Sequence, residues 1–564
     1  MHSSHKYPQN TLAQLVIATC VAFDIEDVVI SPGSRNAPLT IGFTGHPAIK
    51  TYSIVDERAA AFVGLGMAQQ IRKPVVLVCT SGSALLNYYP AIAEAFYSDI
   101  PLVVVSADRP EHLIDIGDGQ TIRQAGVFQN HSHCDANLQE HNKKEHQALL
   151  QKALTTAIHK KGPVHINVPF DEPLYETTSE IKTLEVDLAL KTAPDYTTEI
   201  PLELSFLEPF AEQWNTAAKK IVLVGCHFPS DLLKTQLEHL LKDPSVLVFV
   251  ENTSNFVNDK AIYAIDQLLF PFNEKDKEAL HPDIVLSLGG LVVSKRIKQY
   301  LRKYQPKAHW HVDANKALDT FQCMTQHFEL SPQLFFSQFF FLTKPLESSY
   351  QADWLAVKEA RIQKHTAYLD KLPFSDLKVH QILLQTLPDN LLLQLGNSSI
   401  VRYAQFFKAN STHQIFCNRG TSGIDGSTST AIGAAMVAAM TSKKQTVFIT
   451  GDVSFFYDSN ALWNAYIPKN FRIILVNNNG GGIFKFIPGP SESSALPYFE
   501  TPHGLDASHL CKMHGFDYAT VSDEKSLRSC LPGFFENGEK PKLLEINTPS
   551  NLNDGLLKQY FKSL

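Results

Sequence analysis

Residues 445–484, QTVFITGDVSFFYDSNALWNAYIPKNFRIILVNNNGGGIF, constrain the fold more than any other stretch of the chain. The apolar, β-branched runs 446–449 and 472–476 have the composition of strands buried on both faces, and such strands belong to parallel sheets. The segment between them is long enough for the crossover that parallel neighbours require. The spacing therefore predicts strand, polar turn, helix, strand, polar turn. Gly451-Asp452 and Asn477-Asn478-Asn479-Gly480 then fall at the carboxyl ends of neighbouring strands, the edge at which open α/β sheets bind ligands.

The chemistry that suits this pair of turns is a magnesium ion carrying a diphosphate. A hard cation takes an octahedron of oxygens, phosphate oxygens among them. Asp452 offers a carboxylate, Asn478 a side-chain carbonyl and Gly480 a backbone carbonyl. Glycines at 480–482 let backbone approach a ligand closely, and a helix after Asp452 would direct free N–H groups at an anion. Two polar loops capping any doubly wound sheet are the plainer reading, and either turn alone would not displace it.

A chain of 564 residues exceeds what one hydrophobic core organises. Changes in pattern divide it into three domains, 1–180, 200–345 and 376–564. In the first, strands at 28–31, 52–56, 75–79, 102–107 and 164–168 alternate with helices at 59–71 and 84–96 and with one whose apolar face carries Leu150, Leu154, Ala157 and Ile158. Residues 178–203 turn to Thr, Glu, Lys and Pro and read as a linker. A second unit has strands at 221–224, 246–250, 284–288 and 309–312 and a helix at 231–241. No GxGxxG follows any of these strands, which argues against a dinucleotide site. Phenylalanines at 335, 336, 339, 340 and 341 read as packing in a helical connector. The third domain contains the 445–484 stretch and ends with a strand at 543–546. The fold class expected is α/β, three domains each built on a mostly parallel sheet flanked by helices.

Charge and cysteine usage narrow the partners and the compartment. A formal net charge of −7 is small for this length and suggests neither nucleic acid nor an acidic membrane. Eight cysteines are scattered with no CxxC pair, the pattern of reduced thiols in a cytosolic protein. The polar start MHSSHKYPQN has no apolar segment of the secretory kind, and no run is long enough to span a bilayer. A cytoplasmic location without membrane insertion is expected. His131, His133 and Cys134 match no zinc spacing, and His309 and His311 alternate along a strand; neither group is given a role.

The GD and NN turns resemble the GDG…NN motif of thiamine-diphosphate enzymes, with Val453 in place of the last glycine of GDG. The likeness extends through the chain. Ser31-Pro32-Gly33-Ser34-Arg35, Asp56-Glu57-Arg58, Thr80-Ser81-Gly82-Ser83-Ala84, Ser106-Ala107-Asp108-Arg109-Pro110, Gly119-Gln120-Thr121-Ile122-Arg123-Gln124, Gly396-Asn397-Ser398, Asn418-Arg419-Gly420 and Gly423-Ile424-Asp425-Gly426 together resemble the 2-succinyl-5-enolpyruvyl-6-hydroxy-3-cyclohexene-1-carboxylate synthases of menaquinone biosynthesis. The resemblance covers all three domains. It implies a thiamine-diphosphate-binding fold and a transferase that decarboxylates 2-oxoglutarate and adds the succinyl carbanion equivalent to isochorismate. It also implies magnesium, with manganese as a substitute, and a homodimer or homotetramer whose active sites lie between chains.

Residue roles follow from the same resemblance. Glu57 would face the cofactor's aminopyrimidine, where a partly desolvated carboxyl stays protonated; on the residues alone it could equally be the acidic start of a helix. Asp452, Asn478 and Gly480 would hold the metal. Ser81, Ile424, Ile483 and Phe484 would line the cofactor, with Ile424 beneath its rings and Ile483 and Phe484 walling the thiazolium against water. Ser34, Arg35, Lys295, Arg296, Ser398, Arg402 and Arg419 would receive the substrates' carboxylates, which guanidinium groups pair in bidentate fashion. Gln120 would lie near the reacting carbon. Lys295, Arg296 and Lys298 could also be one exposed helix face. Rival readings are an acetolactate synthase, a 2-oxoacid decarboxylase or a non-catalytic cofactor-binding module.

Overall fold

Three runs of short apolar strands separated by helices become three separate parallel sheets in the computed structural model, which describes residues 6–139, 143–179, 201–486 and 489–564. In chain order the strands are β1 (Tyr7–Pro8), β2 (Asp27–Ile30), β3 (Lys50–Ser53), β4 (Val75–Cys79), β5 (Leu102–Asp108), β6 (Asp135–Asn137), β7 (Val164–Pro169), β8 (Thr177–Thr178), β9 (Lys220–Val224), β10 (Val246–Val250), β11 (Ile284–Leu288), β12 (Ala308–Val312), β13 (Met324–Phe328), β14 (Leu392–Leu395), β15 (Gln414–Phe416), β16 (Thr446–Gly451), β17 (Arg472–Asn477), β18 (Asp517–Val521) and β19 (Lys542–Asn547). The sheet orders are β3-β2-β4-β5-β7-β6, β10-β9-β11-β12-β13 and β15-β14-β16-β17-β19-β18, and β1 pairs antiparallel with β8. Within the large sheets every pairing is parallel. The central strands are buried along their whole length, as strands covered by helices on both faces must be. Among the described residues no helix is long and apolar enough to cross a membrane.

The first and third sheets are locked together by two helices, Glu57–Ile71 and Ser427–Met440, whose sequences are dominated by small residues. A Cβ on Gly66 would stand 2.0 Å from the carbonyl oxygen of Thr430, and one on Gly433 would stand 2.0 Å from that of Val63. Reciprocal glycines thus let the two backbones touch, which no larger residue permits. Gln394 Nε2 donates to Gln69 Oε1 at 2.9 Å across the same junction.

Several local expectations need correction. The strand expected at 52–56 is β3, Lys50–Ser53, because Asp56 turns away to cap the next helix by accepting the Ala59 N–H at 3.0 Å. The helix expected at 84–96 is two, Ser83–Asn87 and Tyr89–Ser98, broken where Pro90 supplies no N–H. The crossover from β16 to β17 is helical only over Asp452–Tyr457 and a 3-10 turn at Ser459–Leu462. There Asp458, fully buried, accepts the N–H and hydroxyl of Ser429 at 2.7 and 2.9 Å, so the segment packs on a neighbouring helix instead of extending its own. Most of the linker expected at 178–203 lies outside the described residues. Phe335, Phe336 and Phe339 are core on the Pro332–Phe339 helix, while Phe341 is exposed. The His309 and His311 rings flank Ser287 Oγ at 2.8 and 2.9 Å inside the central sheet.

Candidate active site

Parallel order places every chain turn of interest at a carboxyl edge. In the third sheet β15, β14, β16 and β17 are consecutive neighbours, so the turns after them bring Arg419, Ser398, Asp452 and Asn478 along one rim. In the first sheet, Ser34-Arg35, Glu57, Ser81 and Arg109 follow β2, β3, β4 and β5. In the central sheet Glu251 follows β10, and the Lys295–Lys303 helix follows β11.

The metal reading is tested by hydrogen bonds. Asp452, 3% exposed, accepts the Val453 N–H at 2.7 Å through one oxygen and the Gly480 N–H at 2.8 Å through the other. Burial pushes its carboxyl above the ordinary range, partly opposed by those two N–H groups and by His503. Asn478 donates its amide to Asp376 Oδ2 at 2.8 Å, which fixes the flip, and its Oδ1 is buried with no partner. A buried acceptor without a donor calls for an explanation, and a bound cation supplies one. A carboxylate and an orphaned amide oxygen fit a hard divalent cation. Gly480 has φ +143°, and a Cβ there would meet the Glu500 carbonyl at 2.6 Å, so only glycine can form this turn. At the start of the six-residue helix after Asp452, the Val453 N–H is taken up by the Asp452 carboxylate itself.

Glu57 is the first residue of its helix and is half-buried; burial raises its carboxyl, partly opposed by its own backbone N–H. Its neighbours do other work. Asp56 caps the helix and accepts Asn460 Nδ2 at 2.7 Å, and Arg58 donates to the Tyr457 carbonyl at 3.0 Å, tying the first domain to the segment that follows Asp452. Ile424, Ile483 and Phe484 are all partly exposed, unlike core residues, and the Ile424 carbonyl accepts Ser454 Oγ from the Asp452 helix at 2.9 Å.

The cations differ in their settings. Arg419, 8% exposed, donates to Asn397 Oδ1 at 2.8 Å and keeps a buried, unpartnered Nε. Arg402 donates to the Ser398 carbonyl, and Ser398 sits at φ 64°, ψ −124°. Arg296 lies over the Phe270 and Phe561 rings at 4.4 and 5.3 Å, whereas Lys295 is exposed. Lys298 turns back to the Val292 carbonyl at 2.8 Å. The charge run is therefore not one solvated face. Arg35 is buried and bound to the Phe170 carbonyl at 2.9 Å; Ser34 and Gln120 are exposed.

Four contributors escaped sequence reasoning. Arg109 donates to Ser81 Oγ at 2.8 Å and braces Asp118 at 3.1 Å in the loop that carries Gln120. Its place in the Ser106–Pro110 motif was the available signal. His503 donates from Nε2 to Asp452 at 3.2 Å, while its Nδ1 accepts the Leu505 N–H. Asp376 orients Asn478, and Glu251 accepts the Val293 and Ser294 N–H groups, both at 2.7 Å, at the mouth of the Lys295–Lys303 helix. These three lie far along the chain from the groups they hold, and no spacing announces them.

Three family profiles match consecutive parts of the chain: the N-terminal TPP binding domain of thiamine pyrophosphate enzymes over residues 10–136, the middle domain of thiamine pyrophosphate enzymes over 216–395, and the C-terminal TPP binding domain over 395–546. The chain is 52% identical over 561 residues to the 2-succinyl-5-enolpyruvyl-6-hydroxy-3-cyclohexene-1-carboxylate synthase of Flavobacterium psychrophilum, covering 99% of this chain and 100% of that one. It is 37% identical to the protein of the same name from Porphyromonas gingivalis, covering 95% and 94%. In fold it is similar to the crystal structure of benzoylformate decarboxylase from Polynucleobacter necessarius, with a TM-score of 0.73, 15% identity and coverage of 96% and 99%. Matched along its whole length by such relatives and carrying both TPP binding domains, the chain belongs to the thiamine pyrophosphate enzymes and, among them, to the 2-succinyl-5-enolpyruvyl-6-hydroxy-3-cyclohexene-1-carboxylate synthase family.

Proposed function

We propose that this chain decarboxylates 2-oxoglutarate and joins the remaining four-carbon unit to isochorismate, forming 2-succinyl-5-enolpyruvyl-6-hydroxy-3-cyclohexene-1-carboxylate in the cytoplasm. The observation that carries the reading is the rim of the third sheet, where a buried acceptor with no donor, Asn478 Oδ1, and a buried donor with no acceptor, Arg419 Nε, follow β17 and β15. One calls for a cation and the other for an anion. Bound thiamine diphosphate supplies a thiazolium carbon that becomes a nucleophile on losing its proton. Asp452, Asn478 and the Gly480 carbonyl would hold the magnesium that anchors its diphosphate, and Ser81, Ile424, Ile483 and Phe484 would shape and dry the space around its rings. Glu57 would hold a proton against its aminopyrimidine.

The substrates bring several carboxylates, and the cations answer them: Arg35 with Ser34 from the first domain, Lys295 and Arg296 from the second, Arg402 and Arg419 with Ser398 from the third. Gln120 would reach the reacting carbon from an exposed loop held by Arg109 and Asp118. Exposure of Gln120, Ser34 and Lys295 in a single chain supports active sites completed by a second chain, in a homodimer or homotetramer. The domain limits 1–180, 200–345 and 376–564 stand as part of this proposal.

Incubation with thiamine diphosphate, magnesium, 2-oxoglutarate and isochorismate tests the reading. The adduct is expected by mass together with carbon dioxide. Turnover of pyruvate with no such adduct would transfer the chain to another thiamine enzyme activity.

A further inference from the structure

The turn that presents Arg419 does not hold itself in place. Gly420 and Thr421 donate their backbone N–H groups to the carboxylate of Glu94, at 2.7 Å to Oε1 and 2.6 Å to Oε2, and Thr421 adds its hydroxyl at 2.8 Å. Ser98 completes the set with its hydroxyl at 2.8 Å. Glu94 belongs to the Tyr89–Ser98 helix of the first domain and is 1% exposed. A buried carboxylate has about four lone-pair positions, and these four donors fill them. The Arg419 guanidinium is not among them and bonds Asn397 Oδ1 instead, at 2.8 Å. Gly420 rests directly on this helix, since a Cβ there would stand 2.6 Å from the Glu94 carbonyl oxygen.

On the far side of the same turn, Asn397 Nδ2 bridges the Asn418 and Gly423 carbonyls, both at 2.7 Å, while Asn397 Oδ1 receives Arg419 Nη1. The residues flanking Arg419 are thus gripped from two domains, and its Nε is left buried and unpartnered. Fixing a backbone in this way removes freedom that a substrate would otherwise have to freeze out on binding.

We infer that Glu94 is a positioning residue: its buried carboxylate, reaching from the first domain, holds the 418–421 turn of the third so that Arg419 is preset for a substrate carboxylate. This rests on the proposed role of Arg419 as a substrate cation. It links domain docking to substrate recognition and separates both from cofactor anchoring at Asp452.

Glu94→Gln keeps the shape but turns one acceptor oxygen into an NH2 that faces an N–H donor. Hydrogen bonds to a charged group convert to about 10- to 100-fold in an equilibrium constant. The KM for one carboxylate substrate should rise by that order, while kcat and thiamine diphosphate affinity stay within about twofold of the parent. In an Arg419→Ala background the same change should raise KM no further, because the cation it positions is gone. Thr421→Val removes only the hydroxyl, is the gentler probe if Glu94→Gln does not fold, and should raise the same KM by about 2- to 10-fold. A parent-like KM in a folded Glu94→Gln or Thr421→Val chain would overturn the inference and leave Arg419 untouched. An equal rise with and without Arg419 would overturn it too, by showing a general effect on the fold. If Arg419→Ala itself leaves both KM values unchanged, the assignment of Arg419 falls first and the inference with it.

Discussion

Replacing Glu57 by glutamine separates a catalytic acid from the acidic start of a helix, because the bond that caps this helix is made by Asp56. Asp56 is the cap, accepting the Ala59 N–H at 3.0 Å, and Arg58 anchors the segment to the Tyr457 carbonyl. Glutamine at 57 preserves volume and both of those bonds. Losing an acidic group beside a helix N-terminus costs about 0.3–1 kcal/mol, and relief of the burial that raises this carboxyl opposes that cost. Folding stability should therefore change by no more than about 1 kcal/mol. Cofactor should still bind, since its diphosphate is anchored from the third domain. General acid–base assistance is worth about 10²- to 10⁴-fold, so loss of the carboxyl proton should slow hydrogen–deuterium exchange at C2 of the bound cofactor by at least the lower figure. The measurement is NMR of samples quenched at set times, with calorimetric titration to prove occupancy. Exchange at the parent's rate in a fully loaded Glu57→Gln enzyme would refute the assignment and leave Glu57 as a helix start.

Asp452→Ala should abolish tight joint binding of magnesium and thiamine diphosphate, seen by calorimetry, while circular dichroism stays that of the parent; unchanged affinity would move the metal elsewhere. Mixing chains carrying Glu57→Gln with chains carrying Asp452→Ala should restore activity that neither has alone, because a pair with sites between chains contains one site intact in both positions; no recovery after proven exchange of subunits would put each site within one chain. Burial raises Glu251 from the ordinary 4.5 to about 7, so between those pH values the unfolded chain loses this proton before the folded one does. Its contribution to stability is full below about 4.5 and is lost as pH rises through about 7, amounting to about 3 kcal/mol by linkage. Denaturation of parent and Glu251→Gln across that window should show the parent losing stability relative to the variant, and parallel curves would be the contrary result.

What could be read from the sequence was whatever a local rule compels. Parallel buried strands require crossovers, so 446–449 and 472–476 had to be neighbours, and β16 and β17 do pair, with Gly451 opposite Val476. Asp452 and Asn478 then had to share a rim. The form of the crossover was not legible, because it depends on Asp458 finding Ser429 and on Asp56 finding Asn460, encounters at long sequence separation. The run Lys295, Arg296, Lys298 shows the same limit. Its spacing cannot tell a solvated face from a site, and the three side chains go to solvent, to two aromatic rings and to a carbonyl. Glu94, Asp376 and His503 were invisible for the same reason: each is an ordinary residue until the fold brings its partner.

Two of the residues proposed to contact substrate are held in strained backbone. Ser398 holds φ 64° and Gln120 φ 55°, and neither is a glycine. Such conformations cost about 1–3 kcal/mol and persist only where surroundings over-determine them. At Ser398 the determinants are the Arg402 guanidinium on its carbonyl and the neighbouring Asn397, which bridges two carbonyls of the Arg419 turn. At Gln120 they are Asp118, which accepts the Gly119 N–H and is braced by Arg109, and Thr121, which donates its hydroxyl to the Asp118 carbonyl. In both places an arginine proposed or found near the site holds the strained loop. Removing either arginine would then relax a backbone as well as delete a charge, and the loss in substrate affinity should exceed what one ion pair explains.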